Sequence, residues 1–448
     1  MIRLAPWHAM FAFALPAVAL DACAGGLRTP APAVAADCCS AAVLANAVRI
    51  AESFRVNAIQ NRRFTPEEFW QSVGPWLAGN GLRTEPIGRS LLGRELRSVT
   101  FGRGPVTVLL WSQMHGDEST ATMALADIFR FLAEGGRDPL RARLGERLTV
   151  VFVPLLNPDG AELFQRENAA GIDINRDARN LVTPEARALK SLRDRMHPMF
   201  GFNLHDQGAR VRVGPGGVQA GLALLAPAYD DSRGYNDVRR RARLVAATLA
   251  TALGREIPGR IAKYEDSFNP RAFGDLMQQW GTSTVLIESG ALPNDPGKQR
   301  LRTVNAAGIL LALDAIATGA YSTADSANYD RLPYNSAGAT DVLVRGGQLV
   351  LPGQLPFRAD VAINYDDPVA HSGPGRIREV GDLRGTTSTD TIDASGLFLH
   401  PRGDALTIRG AGTWLRIGAP ASLDLRRGAD TTSAIVRQLG ESAPPTRP

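Results

Sequence analysis

The sequence predicts an α/β protein: an α/β/α sandwich around a twisted mixed sheet, followed by a small all-β sandwich-like domain. Three observations lead there. Between Leu82 and Leu313, short β-branched or aromatic apolar runs alternate with amphipathic helical stretches, the pattern of layered α/β structure. Past Thr340 the texture changes to short strands separated by turn residues, with no helix of any length. The chain has 448 residues, more than the roughly 250–300 that one core usually holds.

Taken in order, residues 1–22 read as an export signal. Arg3 supplies a small positive start, and Ala9 to Leu20 is an apolar run interrupted by Pro16, too short to span a bilayer. Leu20-Asp-Ala-Cys23 resembles the lipobox of bacterial lipoproteins, which implies a lipid anchor on Cys23. The alternative is ordinary cleavage near Ala22 or around Ala33-Val-Ala35. Either way the expected location is the periplasm or cell envelope of a bacterium. Residues 23–40, rich in Ala, Pro and Gly, read as a flexible tether. Cys38 and Cys39 are neighbours, and neighbouring cysteines seldom pair. With three cysteines so placed, no thiolate site can form, and any metal must use nitrogen and oxygen.

A domain over 41–317 follows. Helical periodicity covers Ala41 to Asn61 and Pro66 to Leu77, and later Thr120–Phe129, Thr183–Arg195 and Asp237–Leu253. The strand-like runs are Val106–Trp111, Leu148–Leu156, Met199–Leu204 and Ser283–Ile287, as expected of strands buried on both faces. Residues 318–337, without a clear period, read as a linker. Val342–Leu351, Ala359–Asn364 and Leu406–Ile408 then mark strands of a β domain over 338–436.

The net charge of +5 does not point to nucleic acid. The basic residues are nearly all arginine and are scattered, lysine occurring only at Lys190, Lys263 and Lys298. The densest cluster, Arg239-Arg-Arg-Ala-Arg243, reads as a solvated helix face, and no aromatic-studded basic patch accompanies it.

What ends each apolar run carries the chemistry. The first leads into His115-Gly-Asp-Glu118, the second into Asn157-Pro-Asp-Gly160, the third ends at His205 and the fourth at Glu288. All lie at carboxyl ends of expected strands, the edge where open α/β sheets place their ligand crevice. His115, Glu118 and His205 together make a two-histidine, one-carboxylate set suited to a single Zn2+ with an open position for water. Glu288 is then the general base. Between the second and third strands, Arg166 suits an oxyanion, while Asn175 and Arg176 suit a substrate carboxylate. A loop ion pair, Arg176 with Asp173 or Asp177, is the competing reading of that segment.

The order His115-x-x-Glu118, Asn157-Pro-Asp-Gly160, Arg166, Asn175-Arg176, His205 and Glu288 resembles the zinc carboxypeptidases, over roughly residues 60 to 315. The lead-in Ile87-Gly-Arg-Ser-Leu-Leu-Gly-Arg94 resembles that family's opening segment. The resemblance implies zinc on His115, Glu118 and His205, Glu288 as base, Arg166 on the carbonyl, and Asn175 with Arg176 on a C-terminal carboxylate. It also implies a tyrosine closing over the substrate, for which Tyr264 is the candidate. The expected partner is a peptide or peptide-like substrate with a free carboxylate. The residue lining the side-chain pocket should fall near Phe273-Gly-Asp275.

The short interval from Glu118 to His205 is closer to compact bacterial members and to related acyl-amino-acid deacylases. A murein-peptide amidase or an N-acyl-amino-acid deacylase is therefore the first alternative, and a non-catalytic envelope binding protein the second. The C-terminal segments, from Asp341-Val-Leu-Val-Arg-Gly-Gly to Ile392-Asp-Ala-Ser-Gly-Leu397, are similar to the small β-sandwich flanking the barrel of amidohydrolases. Leu399-His-Pro-Arg402 stands where those enzymes carry a His-x-His metal motif, which makes the domain an accessory module.

Overall fold

Eight strands build the main sheet of the computed structural model, which describes residues 40–79 and 81–440. The expected export signal, Cys23 and nearly all of the tether lie outside the described residues. In chain order the first nine strands are β1 (Leu82–Arg89), β2 (Glu95–Phe101), β3 (Val106–Ser112), β4 (Leu148–Val153), β5 (Phe200–Asp206), β6 (Arg212–Val213), β7 (Leu222–Leu225), β8 (Ile261–Lys263) and β9 (Ser283–Ser289). All but β6 join one sheet in the order β1-β2-β4-β3-β5-β9-β7-β8. β4, β3, β5 and β9 run parallel at its centre, while β1, β2 and the β7–β8 pair make antiparallel joins at the flanks. The sheet is mixed, as expected.

Helices cover both faces. The helices are α1 (Ala41–Ser53), α2 (Pro66–Leu77), α3 (Thr120–Glu134), α4 (Pro139–Arg147), α5 (Pro158–Leu163), α6 (Pro184–Met196), α7 (Asp237–Glu256), α8 (Phe273–Gln279) and α9 (Gln299–Thr318). Successive strand side chains point to opposite faces. Val108, Leu110, Phe202, Leu204, Val285 and Ile287 therefore share a core with α1, α2, α3, α7 and α9. Leu109, Trp111, Val151 and Val153 face α6 and α8 in a second cluster. Burial on both faces is why the central strands read as unbroken apolar runs.

Local signals set some boundaries and tertiary contacts set others. α2 spans the expected residues because Thr65 and Glu68 form a reciprocal capping box and Pro66 opens the first turn. α1 stops at Ser53, short of the expected Asn61. Beyond it the backbone is taken by other partners: Val56 N–H donates to Asp127 Oδ1 at 2.7 Å, and the Arg302 guanidinium donates to the Val56 and Ile59 carbonyls. Arg302 also pairs with Asp127, its Nε donating to Oδ2 at 2.7 Å, with both side chains enclosed. This ion pair ties α3, α9 and the 54–59 loop together.

The arginine cluster on α7 is not the solvated face the sequence suggested. Arg239 is fully buried, its Nε donating to the Ala226 carbonyl at 3.0 Å and its Nη2 to Asp266 at 2.8 Å. Arg241 donates to Ser283 Oγ at 3.0 Å, and Arg243 pairs with Asp330. Only Arg240 is exposed. The four arginines point round the helix rather than along one face, so burial partners take three of them.

Besides a two-stranded ribbon of Leu406–Arg409 with Gly412–Leu415, residues 340–439 form two larger sheets. One holds Ser372–Gly381, Asp360–Asp367, Thr340–Arg345 and Ser388–Asp393 in that spatial order. The other holds Phe357–Arg358, Gln348–Leu349, Phe398–Pro401, Leu423–Arg426 and Ile435–Leu439. Val342, Val361, Ile363 and Ile377 from the first share a core with Leu349, Leu399, Leu423 and Leu425 from the second. The run expected over Val342–Leu351 is split between the two sheets at Gly346-Gly347. A Cβ on Gly347 would lie 1.8 Å from Leu399 Cδ1, so any side chain at this crossing would have to displace the buried Leu399.

The 318–337 segment, read as a linker, is packed against the α/β body. Its short helix Ala327–Asp330 buries Tyr329, whose hydroxyl accepts the Ala226 N–H at 3.0 Å, and Asn335–Ser336 forms a strand, β10, paired with β6. Removing one partner of an enclosed ion pair strands a buried charge, a cost of about 3–5 kcal/mol. Asp127→Ala should lower the unfolding free energy by about that amount, read from urea denaturation followed by circular dichroism.

Candidate metal centre and substrate cleft

β3 delivers His115 and Glu118 at its carboxyl end, through a loop that bends sharply at Gln113, where φ is 50°. That loop is pressed against the start of α5. A Cβ on Gly116 would lie 2.0 Å from the Gly160 carbonyl carbon, and one on Gly160 would lie 2.5 Å from both Asn157 Nδ2 and Glu167 O. The two glycines therefore permit a contact no other residue allows. Asn157 completes the support, since its Nδ2 donates to the Met114 and Arg166 carbonyls at 3.3 and 3.2 Å while its Oδ1 accepts the Gly160 N–H. Asp159 anchors the lead-in segment by accepting from Ser90 Oγ, Leu92 N–H and Arg94. The Asn157-Pro-Asp-Gly160 motif is thus the scaffold of the site.

The parallel register of β5 and β9 sets His205 directly beside Glu288. Glu118 joins the two histidines: its Oε1 lies 2.7 Å from His115 Nδ1 and its Oε2 lies 2.7 Å from His205 Nδ1. The ligand atoms of His115, Glu118 and His205 all fall within 4.8 Å of one another, and all three residues are buried. Such a group can hold a metal ion. His115 Nε2 meets Asp173 Oδ1 at 3.0 Å, which leaves its Nδ1 facing the other two donors. Metal-ligating histidines ordinarily have their second nitrogen held this way. Asp173 was visible in the sequence only as a candidate ion-pair partner of Arg176; the structure assigns it to His115 and to Arg166, whose Nη2 it accepts at 2.9 Å. Its position between Arg166 and Asn175-Arg176 was the one available signal.

Two further residues escaped sequence reasoning. The backbone N–H of Asp206 donates to Glu118 Oε2 at 3.0 Å, and Asp206 is itself fixed by Lys298 Nζ at 2.8 Å and Thr120 Oγ1 at 2.5 Å. Lys298, one of only three lysines in an arginine-rich chain, is almost wholly enclosed there. The Asp206–Lys298 pair holds the strand end that carries His205.

Arg166 reaches the cluster with its Nη1, 3.1 Å from Glu118 Oε1. Asn175 is oriented by the Phe273 N–H, which its Oδ1 accepts at 2.9 Å, and its Nδ2 lies 3.4 Å from His205 Nε2. Arg176 donates to the Asn175 carbonyl at 2.8 Å. It makes neither ion pair considered for it: Asp173 serves His115 and Arg166, and Asp177 accepts from the Val182 and Thr183 N–H groups and Thr183 Oγ1. A cavity of about 620 Å³ is lined by His115, Glu118, Arg166, Asn175, Arg176, Tyr264 and Glu288. His205 is enclosed against Glu118. Every site residue expected from the sequence is thus at this cavity or in contact with its lining.

The electrostatics follow from burial and crowding. Burial works against charge on Glu118, but the two imidazoles hold its carboxyl well below the ordinary range. Burial likewise disfavours a charged His115, yet Glu118 and Asp173 outweigh it and lift the ring to about 9. His205 has only Glu118 to offset its burial and stays below its usual value. Glu288 is pushed well above the carboxylate range by burial and then by Glu118. Tyr264 rises to about 12 through the neighbouring Glu288 charge and burial. Elsewhere in the cavity lining, burial raises Asp275 to about 7.

Residues 79–197 match the family model of the zinc carboxypeptidases. The matched stretch contains His115, Glu118, Arg166, Asn175 and Arg176, and ends before His205 and Glu288. Among curated proteins, the chain is 31% identical over 108 residues to Carboxypeptidase 2 of Trichophyton tonsurans, covering 24% of this chain and 20% of that protein. It is 32% identical over 93 residues to Carboxypeptidase SOL1 of Arabidopsis thaliana, covering 18% and 19%. The chain thus spans about one fifth of the length of the curated relatives it matches. Among solved structures, a metallo-carboxypeptidase from Burkholderia cenocepacia aligns with a TM-score of 0.46 and 18% identity, over 57% of this chain and 70% of that one.

Loss of the carboxylate behind a ligating histidine commonly costs tenfold to a hundredfold in metal affinity. Asp173→Ala should therefore weaken zinc binding by about 10–100-fold, measured by competition with a chromogenic chelator.

Proposed function

We propose that this chain is an exported zinc metallocarboxypeptidase that hydrolyses the amide bond next to a free C-terminal carboxylate. The observation that carries this reading is the gathering of His115, Glu118 and His205 within 4.8 Å, with Glu288 and the two arginines bordering the same cavity. Two imidazoles and one carboxylate fit zinc, which prefers nitrogen and oxygen donors when no thiolate is at hand and leaves a coordination position for water. Zinc held there would acidify that water and polarise the scissile carbonyl.

The chain's own groups do the rest. Arg176 and the Asn175 amide hold the substrate's terminal carboxylate, which fixes the scissile bond relative to Glu288. Arg166 donates to the carbonyl oxygen as negative charge develops on it. Glu288 takes a proton from the attacking water and delivers it to the leaving nitrogen. Its enclosed position excludes bulk water from that transfer, and a cation at the cluster favours the ionised form needed to begin. Tyr264 covers the substrate from the β8 side. Export rests on the N-terminal sequence.

Asn203, Leu225, Pro227, Gly274, Asp275 and Leu286 also line the cavity. Asn203 Oδ1 is buried with no hydrogen-bond partner among the described residues. An acceptor amide and a carboxyl in the cavity lining suit a C-terminal residue whose side chain ends in a donor, lysine or arginine. Asp275 is neutral below about 7 and charged above it. Preference for a C-terminal lysine over leucine should therefore grow as pH rises through about 7, and Asp275→Asn should flatten that dependence. Ratios of kcat/KM on paired peptides from pH 5.5 to 8.5 check this.

For the reaction itself, general acid–base groups contribute roughly 10²–10⁴-fold. Glu288→Gln in the zinc-loaded protein should lower kcat on a C-terminal peptide panel by at least about 100-fold. Equal activity of the variant and the wild type would sink the mechanism. Cleavage of N-acyl amino acids or muropeptides alone would replace the simple carboxypeptidase with the amidase or deacylase reading.

A further inference from the structure

Alternate residues of an extended strand stand on one face, about 6.6 Å apart for each pair of residues. Asn203, His205 and Gln207 are such a series on β5 and its continuation, where the Gln207 N–H still donates to the Ser289 carbonyl of β9 at 2.9 Å. Asn203 and Gln207 both line the cavity, on either side of His205. The Asn203 end is the carboxylate end. A Cβ on Gly274 would lie 3.2 Å from Asn203 Nδ2, and α8, which carries Gly274, also supplies the Phe273 N–H that orients Asn175. A substrate whose carboxylate sits there and whose reacting carbonyl lies at the metal cluster must run towards Gln207 with its remaining amino-side residues.

At that end the cavity wall comes from outside the α/β body. Asn335 Nδ2 donates to Gln207 Oε1 at 3.1 Å, and Asn335 and Ala337 line the cavity. Gln207, only 9% exposed, keeps its Nε2 buried with no partner among the described residues. Gln207 is part of the cavity wall, and a buried amide donor left unpaired there costs free energy unless something accepts from it.

The segment bearing Asn335 is held on both sides. The Lys263 N–H donates to the Pro333 carbonyl at 2.8 Å, one residue before Tyr264, and the Gly214 N–H donates to the Tyr334 carbonyl at 2.9 Å. β10 pairs with β6, so residues 333–337 join the loop after His205 to the loop carrying Tyr264. From β6 and its approach, Arg210 pairs with Asp341 at 2.7 Å and Arg212 donates to Thr389 Oγ1 at 2.7 Å, both in the β domain.

Resting on the carboxypeptidase reading, we propose that residues 333–337 are part of the peptide-binding site. Gln207, held by Asn335, donates from Nε2 to a backbone carbonyl of the substrate on the amino side of the scissile bond. Asn335 is a positioning residue that acts through Gln207, and the β domain steadies the strap from behind.

The test compares two substrates with the same C-terminal residue, an N-blocked dipeptide and a peptide three residues longer, on the zinc-loaded full chain. One hydrogen bond to a neutral acceptor corresponds to about a threefold to tenfold change. Asn335→Ala and Gln207→Ala should each raise KM for the longer peptide by about that factor more than KM for the dipeptide, with kcat changing far less. The double variant should lose no more than Gln207→Ala alone, because the two side chains act as one unit. Binding of the longer peptide to the Glu288→Gln protein, measured by calorimetry, should weaken in parallel. An unchanged ratio between the two substrates, or equal losses on both, overturns the inference while the carboxypeptidase reading stands. A wild-type protein that cleaves neither substrate overturns both.

Discussion

His205 and Glu288 stand side by side because β5 and β9 run parallel in a fixed register, and the site is built outward from that pairing. Parallel strands end together at one edge, so β3, β5 and β9 present their last residues to the same space. A slip of one residue in either strand would turn its polar residue into the apolar layer beneath. The slip is prevented by Phe202, Leu204, Val285 and Ile287, which fill the core on the opposite face. The same side chains that stabilise the sheet therefore fix the chemistry at its edge.

That edge concentrates negative charge. Asp117, Glu118, Asp173, Asp206 and Glu288 lie close enough to perturb one another or their shared neighbours, against Arg166, Lys298 and two imidazoles. Each cation has a specific place: Lys298 balances Asp206 at the base, and Arg166 spans Glu118 and Asp173 at the rim. Glu288 makes no direct ion pair among the described residues, and burial and Glu118 outweigh the pull of His115 and Arg166 on its protonation. An added cation at the His115–Glu118–His205 cluster is the natural counterweight, and it acts on Glu288 as well as on its own ligands.

Much of this was legible in the sequence, for identifiable reasons. Strands buried on both faces write themselves as apolar runs, so their ends, and hence His115, His205 and Glu288, could be read directly. Periodicity did the same for α2, whose start the structure shows held by the Thr65–Glu68 capping box. What could not be read depends on contacts distant in the chain. Asp173 meets His115 across a separation of 58 residues through a loop with no periodic signal. α1 ends early because Asp127 and Arg302 take its continuing backbone, and Arg239 is buried by Asp266 and Ala226 rather than by any local pattern. The 333–337 strap carried no strand signal, since two residues paired with a two-residue strand leave no period to detect.

The central claim is that His115, Glu118 and His205 bind a single zinc ion. Zinc-edge X-ray absorption on the full-length protein, with metal content measured on the same sample, tests it most directly. The expected result is one zinc per chain with two imidazole nitrogens at about 2.0–2.1 Å, further oxygen ligands and no sulfur. A sulfur shell, or a protein that cannot be loaded with zinc and whose content is unaffected by His205→Ala, would contradict it.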